Sequence, residues 1–175
     1  MDASGASAPA RIRAARDADA AATVALWTAA YVDEGEGGRT APYVEDDFFE
    51  TAGRGRLFVA ERDRAVVGVV ALLAPGAHGR AVARADEAEI SRLVVGAGAR
   101  GQGIGRDLVT HCQALAREAG WRAIALWSRR YQVAAHRLYE SLGYRRTPER
   151  DSIDETGYER LAFRLELTEW DAAGL

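Results

Sequence analysis

Ten residues, Gly96-Ala-Gly-Ala-Arg-Gly-Gln-Gly-Ile-Gly105, place five glycines between two segments of opposite pattern. Before them, Glu89-Ile-Ser-Arg-Leu-Val-Val95 has the apolar, β-branched content of a strand. After them, Ile104, Leu108, Cys112, Leu115 and Ala119 recur at helical spacing, and Gly120 marks a stop. A glycine turn running from strand to helix bares backbone N–H groups at the positive end of a helix dipole, which is an anion site. Two patterns overlap within it. Gly96-Ala-Gly98-Ala-Arg-Gly101 fits the G-x-G-x-x-G dinucleotide fingerprint. That fit is a weak signal, because the segment lies midway along the chain. The next strand also ends in Ser128-Arg129-Arg130 rather than an acid, which admits only a phosphorylated ribose and hence NADP. The second pattern is Arg100-Gly-Gln-Gly103-Ile-Gly105.

Around this turn the chain reads as one domain over residues 10–170, preceded by a small, polar, flexible tail over 1–9. A strand is expected over 11–15, then a helix over 18–31 with Asp17 as its N-cap. A shorter helix should cover 44–51. Strands over 57–61 and 66–74 form a hairpin turning at Arg62-Asp63-Arg64. Beyond the helix over 104–119, a strand (123–127), a helix (133–142) and a last strand (160–167) complete the pattern. The expected fold class is α/β: a mixed sheet of about six or seven strands with about four helices on both faces.

Composition narrows the chemistry. All 23 basic residues among the 175 are arginine, and there is neither lysine nor asparagine. Schiff-base catalysis, covalent pyridoxal phosphate, Lys-tipped phosphate loops and N-glycosylation are thereby excluded. A net charge of −3 argues against nucleic acid as a partner. The single Cys112 forms no intramolecular disulfide and reads as core. No apolar run is long enough for a membrane span, and the first ten residues lack a signal-peptide pattern, so a cytoplasmic protein without a membrane partner is expected. No His/Cys/Asp cluster has ligand spacing, so no metal is expected.

On Arg100-Gly-Gln-Gly103-Ile-Gly105 the chain resembles the GNAT superfamily of acyl-CoA-dependent N-acetyltransferases, whose signature is R/Q-x-x-G-x-G/A between a strand and a helix. Upstream, Ala88-Glu-Ile-Ser-Arg-Leu-Val-Val95 is similar to the family's preceding strand. Downstream, Gln132-Val-Ala-Ala-His-Arg-Leu-Tyr-Glu-Ser-Leu-Gly-Tyr144 is similar to its later helix with the Tyr-x-x-x-Gly-aromatic ending. One departure is Gln132, which stands where the family commonly has asparagine. The resemblance implies acetyl-CoA as cosubstrate. Arg100, Gly101, Gln102, Gly103, Ile104, Gly105 and Arg106 would wrap its diphosphate, Leu93, Val94 and Val95 would run beside the pantetheine arm, and Gln132 and Ala135 would complete the site. Local charge agrees: between Arg92 and Arg150 stand eleven arginines and four acids, a balance of +7.

Acetyl transfer to an amine needs a base for the ammonium and an acid for the leaving thiolate. Glu89 is the candidate base, directly or through water, with a salt bridge to Arg92 or another arginine as the plain alternative and Glu87 as the competing acid. The resemblance makes Tyr139 the candidate acid, although its spacing alone fits a core tyrosine. His136 is expected to face solvent or cofactor. The acidic stretch from Asp33 to Glu50, balance −6, suggests a small cationic amine acceptor, walled by Trp27, Tyr31, Glu34 and Phe48. The expected activity is direct transfer in a ternary complex by a monomer or homodimer. A non-catalytic acyl-CoA sensor and an NADP-binding enzyme remain as alternatives.

Overall fold

Eight strands form one sheet in the computed structural model, which describes residues 8–33, 41–154 and 157–167. The strands are β1 (Arg11–Ala14), β2 (Arg56–Arg62), β3 (Ala65–Leu73), β4 (Ala88–Val95), β5 (Ala123–Arg129), β6 (Arg145–Arg146), β7 (Ser152–Ile153) and β8 (Glu159–Glu166). Their order is β1-β2-β3-β4-β5-β8-β6, with β7 also on β8. All pairings are antiparallel except β4 with β5, which is parallel and short: only Ala88↔Ile124 and Glu89↔Ala125 are in register. Past Glu89 the two strands part.

The helices are α1 (Ala20–Thr28), α2 (Glu45–Arg54), α3 (Ile104–Glu118) and α4 (Val133–Ser141). They divide the core in two. On one sheet face, Ile104, Leu108, Cys112 and Tyr139 pack on Val70, Leu72, Ile90, Leu126 and Phe163. On the other, Trp27 and Phe48 pack on Val59, Val69, Ala71 and Val94. The alternation that a pleated strand requires explains the division, since neighbouring residues of β3 fall into opposite clusters. α3 begins hard against the sheet. A Cβ on Gly68 would lie 3.1 Å from both Ile104 Cγ2 and Leu108 Cδ1, so the absent side chain sets how deep the helix sits.

Several local expectations are corrected. The helix expected over 18–31 is a 3-10 turn (Asp17–Asp19), then α1, then a wider π turn (Ala29–Asp33). Asp19, not Asp17, binds the entering chain: its carboxylate accepts the Arg16 N–H at 2.7 Å and a forked pair of bonds from Arg13 at 2.7 and 2.9 Å. The hairpin turn is the two residues Asp63-Arg64, both with positive φ, as the twist of a tight hairpin demands. Two-residue β6 and β7 are too short to carry a pattern. Of the expected tail, residues 1–7 lie outside the described residues.

Glu87 ties the parallel pair to β8. Its buried carboxylate lies 2.6 Å from Arg150 Nη1 and 2.7 Å from Arg164 Nε. Burial alone would raise this carboxyl. Hydrogen bonds from Arg150, the Arg84 N–H and Arg164 outweigh burial and hold it at about 2. The folded value is lowered, so the stabilisation is fully present above about pH 4.5 and is lost as pH falls through about 2. Glu87→Ala should cost about 3 kcal/mol in urea unfolding at pH 7, because the half-buried Arg150 loses its carboxylate and Arg164, among the described residues, keeps only Glu166. The deficit should shrink below about pH 4, where wild type loses the same interaction; a deficit that does not change with pH would contradict this.

Candidate active site

The parting of β4 from β5 opens a cleft of about 900 Å³. Its walls are β4 from Glu89 to Val95, the glycine turn, the start of α3, α4, and the ends of β5 and β8. The N–H of Asp107 makes the first bond of α3, to the Gly103 carbonyl at 3.0 Å. The N–H groups of Ile104, Gly105 and Arg106 therefore have no partner within the helix, as at any helix start. Gly103 precedes them at φ 84°, in the left-handed region, and a Cβ there would meet nothing within 4 Å. The glycine is demanded by backbone conformation rather than by crowding within the protein. A Cβ on Gly105 would lie 3.4 Å from Leu138 Cδ2, an ordinary contact.

Arginines brace this turn. Arg100 Nε donates to the Val95 carbonyl at 3.0 Å, and Arg106 Nη2 donates to Ser141 Oγ at 2.6 Å, joining α3 to α4. Bare donors, a dipole end and two cationic stems at one wall fit a diphosphate, and the parted strands fit a thin chain threaded between them. The structure brings Leu93, Val94, Val95, Arg100, Gly101, Gly103, Ile104, Gly105, Arg106, Gln132 and Ala135 to the cleft. Gln102 does not line the cleft with its side chain. Its side chain turns away, accepting from Arg62 and donating to the Gly98 carbonyl at 3.2 Å. Gln132 does line the cleft, but its Oε1 accepts from Ser128 Oγ and the Arg129 N–H, both at 2.9 Å, which fixes the end of β5 to α4.

Glu89 sits in the cleft wall, nearly fully buried, and among the described residues no arginine lies within ion-pair distance of it. Its Oε2 accepts the N–H groups of Ala81, Val82 and Ala83 at 2.9, 2.8 and 2.9 Å, and Ala81 also reaches Oε1 at 3.0 Å. In place of the alternative salt bridge there is a clasp on the loop before β4. Glu87 is spent on Arg150 and Arg164 and does not line the cleft. Tyr139 does, packed against Tyr144 and Phe163 with centroids 5.8 Å away in each case, and burial pushes its phenol above the usual range. His136 instead puts Nε2 2.9 Å from the Arg129 carbonyl and packs on Phe163.

On the acceptor side the expectations fare less well. Tyr31 lines the cleft and donates to the Leu93 carbonyl at 3.4 Å. Trp27 and Phe48 are core residues that do not reach it, and Glu34 lies outside the described residues. The acids of α2 do not line it either. Glu45, Asp46 and Asp47 occupy the first turn, where they complement the helix dipole, and Asp47 accepts the Val44 N–H. Arg129, half of the pair proposed for NADP, is buried 2.7 Å from Asp154, so it is already neutralised. Missed by sequence reasoning were Tyr43, Arg54, Arg92, Trp127, Leu138 and Arg160, all in the cleft wall. Arg92 had a signal: it is a charged residue inside an apolar strand.

Residues 20–144 match the acetyltransferase (GNAT) family. The chain belongs to this family. The family is one of acyltransferases that take acetyl-CoA as donor. The chain is 32% identical over 120 residues to the N-acetylaspartate synthetase of Danio rerio, a match spanning 65% of this chain and 39% of that protein. The fold is similar to that of yncA of Salmonella typhimurium, solved with its cofactor acetyl-CoA, at TM-score 0.76 and 20% identity, covering 94% of this chain and 98% of that one. It is also similar to a phosphinothricin acetyltransferase from Sinorhizobium meliloti in complex with acetyl-CoA, at TM-score 0.75 and 20% identity, covering 95% and 93%. Among the described residues, no helix is long and apolar enough to cross a membrane, and no cluster of side chains is arranged to hold a metal.

The two glycines of the signature should separate experimentally. Gly103→Ala is expected to lose about 1–2 kcal/mol of stability from its left-handed backbone. Gly105→Ala should fold with wild-type stability. Thermal melts of the two variants check this, and equal losses would contradict the conformational reading.

Proposed function

We propose that this chain transfers the acetyl group of acetyl-CoA to a primary amine of a small acceptor, directly in a ternary complex. The observation that carries the reading is the convergence of a bare helix start and a parted parallel strand pair in one cleft. In this reading the N–H groups of Gly101 to Arg106, with Arg100 and Arg106, hold the diphosphate. The edge of β4 that β5 leaves at Leu93 to Val95, with its carbonyls met by Tyr31 and Arg100, offers its N–H groups to the pantetheine amides, and a β4 N–H meets the charge developing on the acyl oxygen. Two neighbours of the same fold, described with acetyl-CoA, support this use of the cleft. A relative named for making N-acetylaspartate supports nitrogen as the acceptor atom.

Glu89 takes the acceptor's proton through water. Three N–H donors occupy most of its acceptor positions and leave room on Oε1 alone. Tyr139, kept protonated by burial, delivers a proton to the departing thiolate. Gln132 positions β5 against α4 rather than acting on either reactant.

Tyr139→Phe is expected to lower kcat by 10²-fold or more with the acetyl-CoA KM within about twofold, measured as thiol release. Unchanged turnover would remove Tyr139 from the mechanism. Glu89→Gln should lose both rate and melting temperature, since an amide offers one oxygen to three N–H donors. Tight acetyl-CoA binding with no thiol release across a broad amine panel would instead identify a sensor.

A further inference from the structure

We propose that the acceptor is an amino carboxylate, and that Arg92 and Arg160 form the subsite that holds its anion. The inference rests on the acetyl-transfer reading and names the substrate class of that same cleft. It begins with a bulge. β3 and β4 pair Val69 with Val94 and Ala71 with Ser91, so two residues, Arg92 and Leu93, stand opposite the single Val70. Arg92 has φ 51°, in the left-handed region that a non-glycine residue rarely adopts. Without the bulge, alternation would send Arg92 toward α3 and α4. With it, the side chain lies on the opposite face, over the rings of Trp27 and Tyr43 at 4.7 and 5.2 Å from their centroids.

Two more arginines reach that face from neighbouring strands. Arg129 of β5 and Arg160 of β8 both line the cleft. Asp154 neutralises Arg129 at 2.7 Å but stands 3.7 Å from Arg160, at the limit of an ion pair. The buried Nε of Arg160 has no hydrogen-bond partner, and its guanidinium lies over Trp127 at 4.5 Å. Among the described residues, Arg92 has no carboxylate within ion-pair distance. Both guanidiniums thus have a face on an aromatic ring. Stacking consumes that face and fixes the plane, leaving in-plane N–H groups for an oxyanion.

Charge decides the class. Arg54, Arg92, Arg129 and Arg160 line this side of the cleft, and the one acid among the described residues that line it, Glu89, already receives three N–H groups. Arg54 is paired with Glu50, one turn back on α2. Among the described residues, a diamine or aminosugar would meet a positive field and no uncommitted carboxylate. A short amino carboxylate meets the surplus with a forked hydrogen bond.

The test is thiol release from acetyl-CoA by the full chain, with matched acceptors: a monocarboxylic and a dicarboxylic amino acid, their carboxamides, and a diamine. At least tenfold higher kcat/KM is expected for the carboxylates than for their amides or the diamine. Arg92→Gln and Arg160→Gln should each raise the amino-carboxylate KM about tenfold, keep the acetyl-CoA KM within twofold, and narrow the carboxylate–amide ratio. Thiol release that serves amides or diamine as well as carboxylates would overturn the subsite and leave acetyl transfer standing. No thermal shift with acetyl-CoA, and no thiol release with any acceptor, would overturn the acetyl-transfer reading and the subsite with it. The wild-type panel decides the matter even if a variant fails to fold.

Discussion

The separation of β4 from β5 is the constraint on which the rest of this molecule depends. Two parallel register pairs hold the strands together, and then the ladder stops inside the sheet. An interior strand that loses its neighbour exposes backbone groups that need other partners. Here Tyr31 meets the Leu93 carbonyl and Arg100 meets that of Val95. At the apex, the Glu89 carboxylate binds three N–H groups of the preceding loop, so the point of divergence is fastened from the side. α3 starts beside one rim and α4 carries Tyr139 to the other. The cleft is therefore a consequence of strand pairing, with the helices positioned around it.

Electrostatics divides the molecule along the sheet. A chain with a net charge of −3 has a cleft wall rich in arginine, and several of the acids among its described residues are engaged elsewhere. Glu87 binds two arginines across the strands, Asp19 binds Arg13, Asp151 binds Arg146, and Asp154 binds Arg129. The first-turn acids of α2 serve their own helix. Net charge over a stretch of sequence thus says little about the field at a site. Which carboxylates already have partners decides it.

That distinction also explains what was legible in the sequence. The strand, glycine turn and helix over 89–119 were readable because each has a periodic or conformational signature, and Gly103 does occupy the left-handed backbone position at the start of α3. The strand order was not readable, since it depends on pairings between segments far apart. The acceptor wall misled for a physical reason: Trp27 and Phe48 are as suitable for a core as for a pocket, and only tertiary packing places them in the core. The bulge at Arg92 left a trace, a cation within an apolar strand, but its meaning depends on a register that only β3 supplies.

Amide hydrogen exchange with and without coenzyme A tests the central claim, that the parted strands and the glycine turn form one binding cleft, most directly. The account predicts slowed exchange at Gly101 to Arg106 and along Leu93 to Val95 on addition of coenzyme A, with β1 and α2 unchanged. Saturating binding that left both of those segments unprotected, or that protected a different face of the sheet, would contradict it.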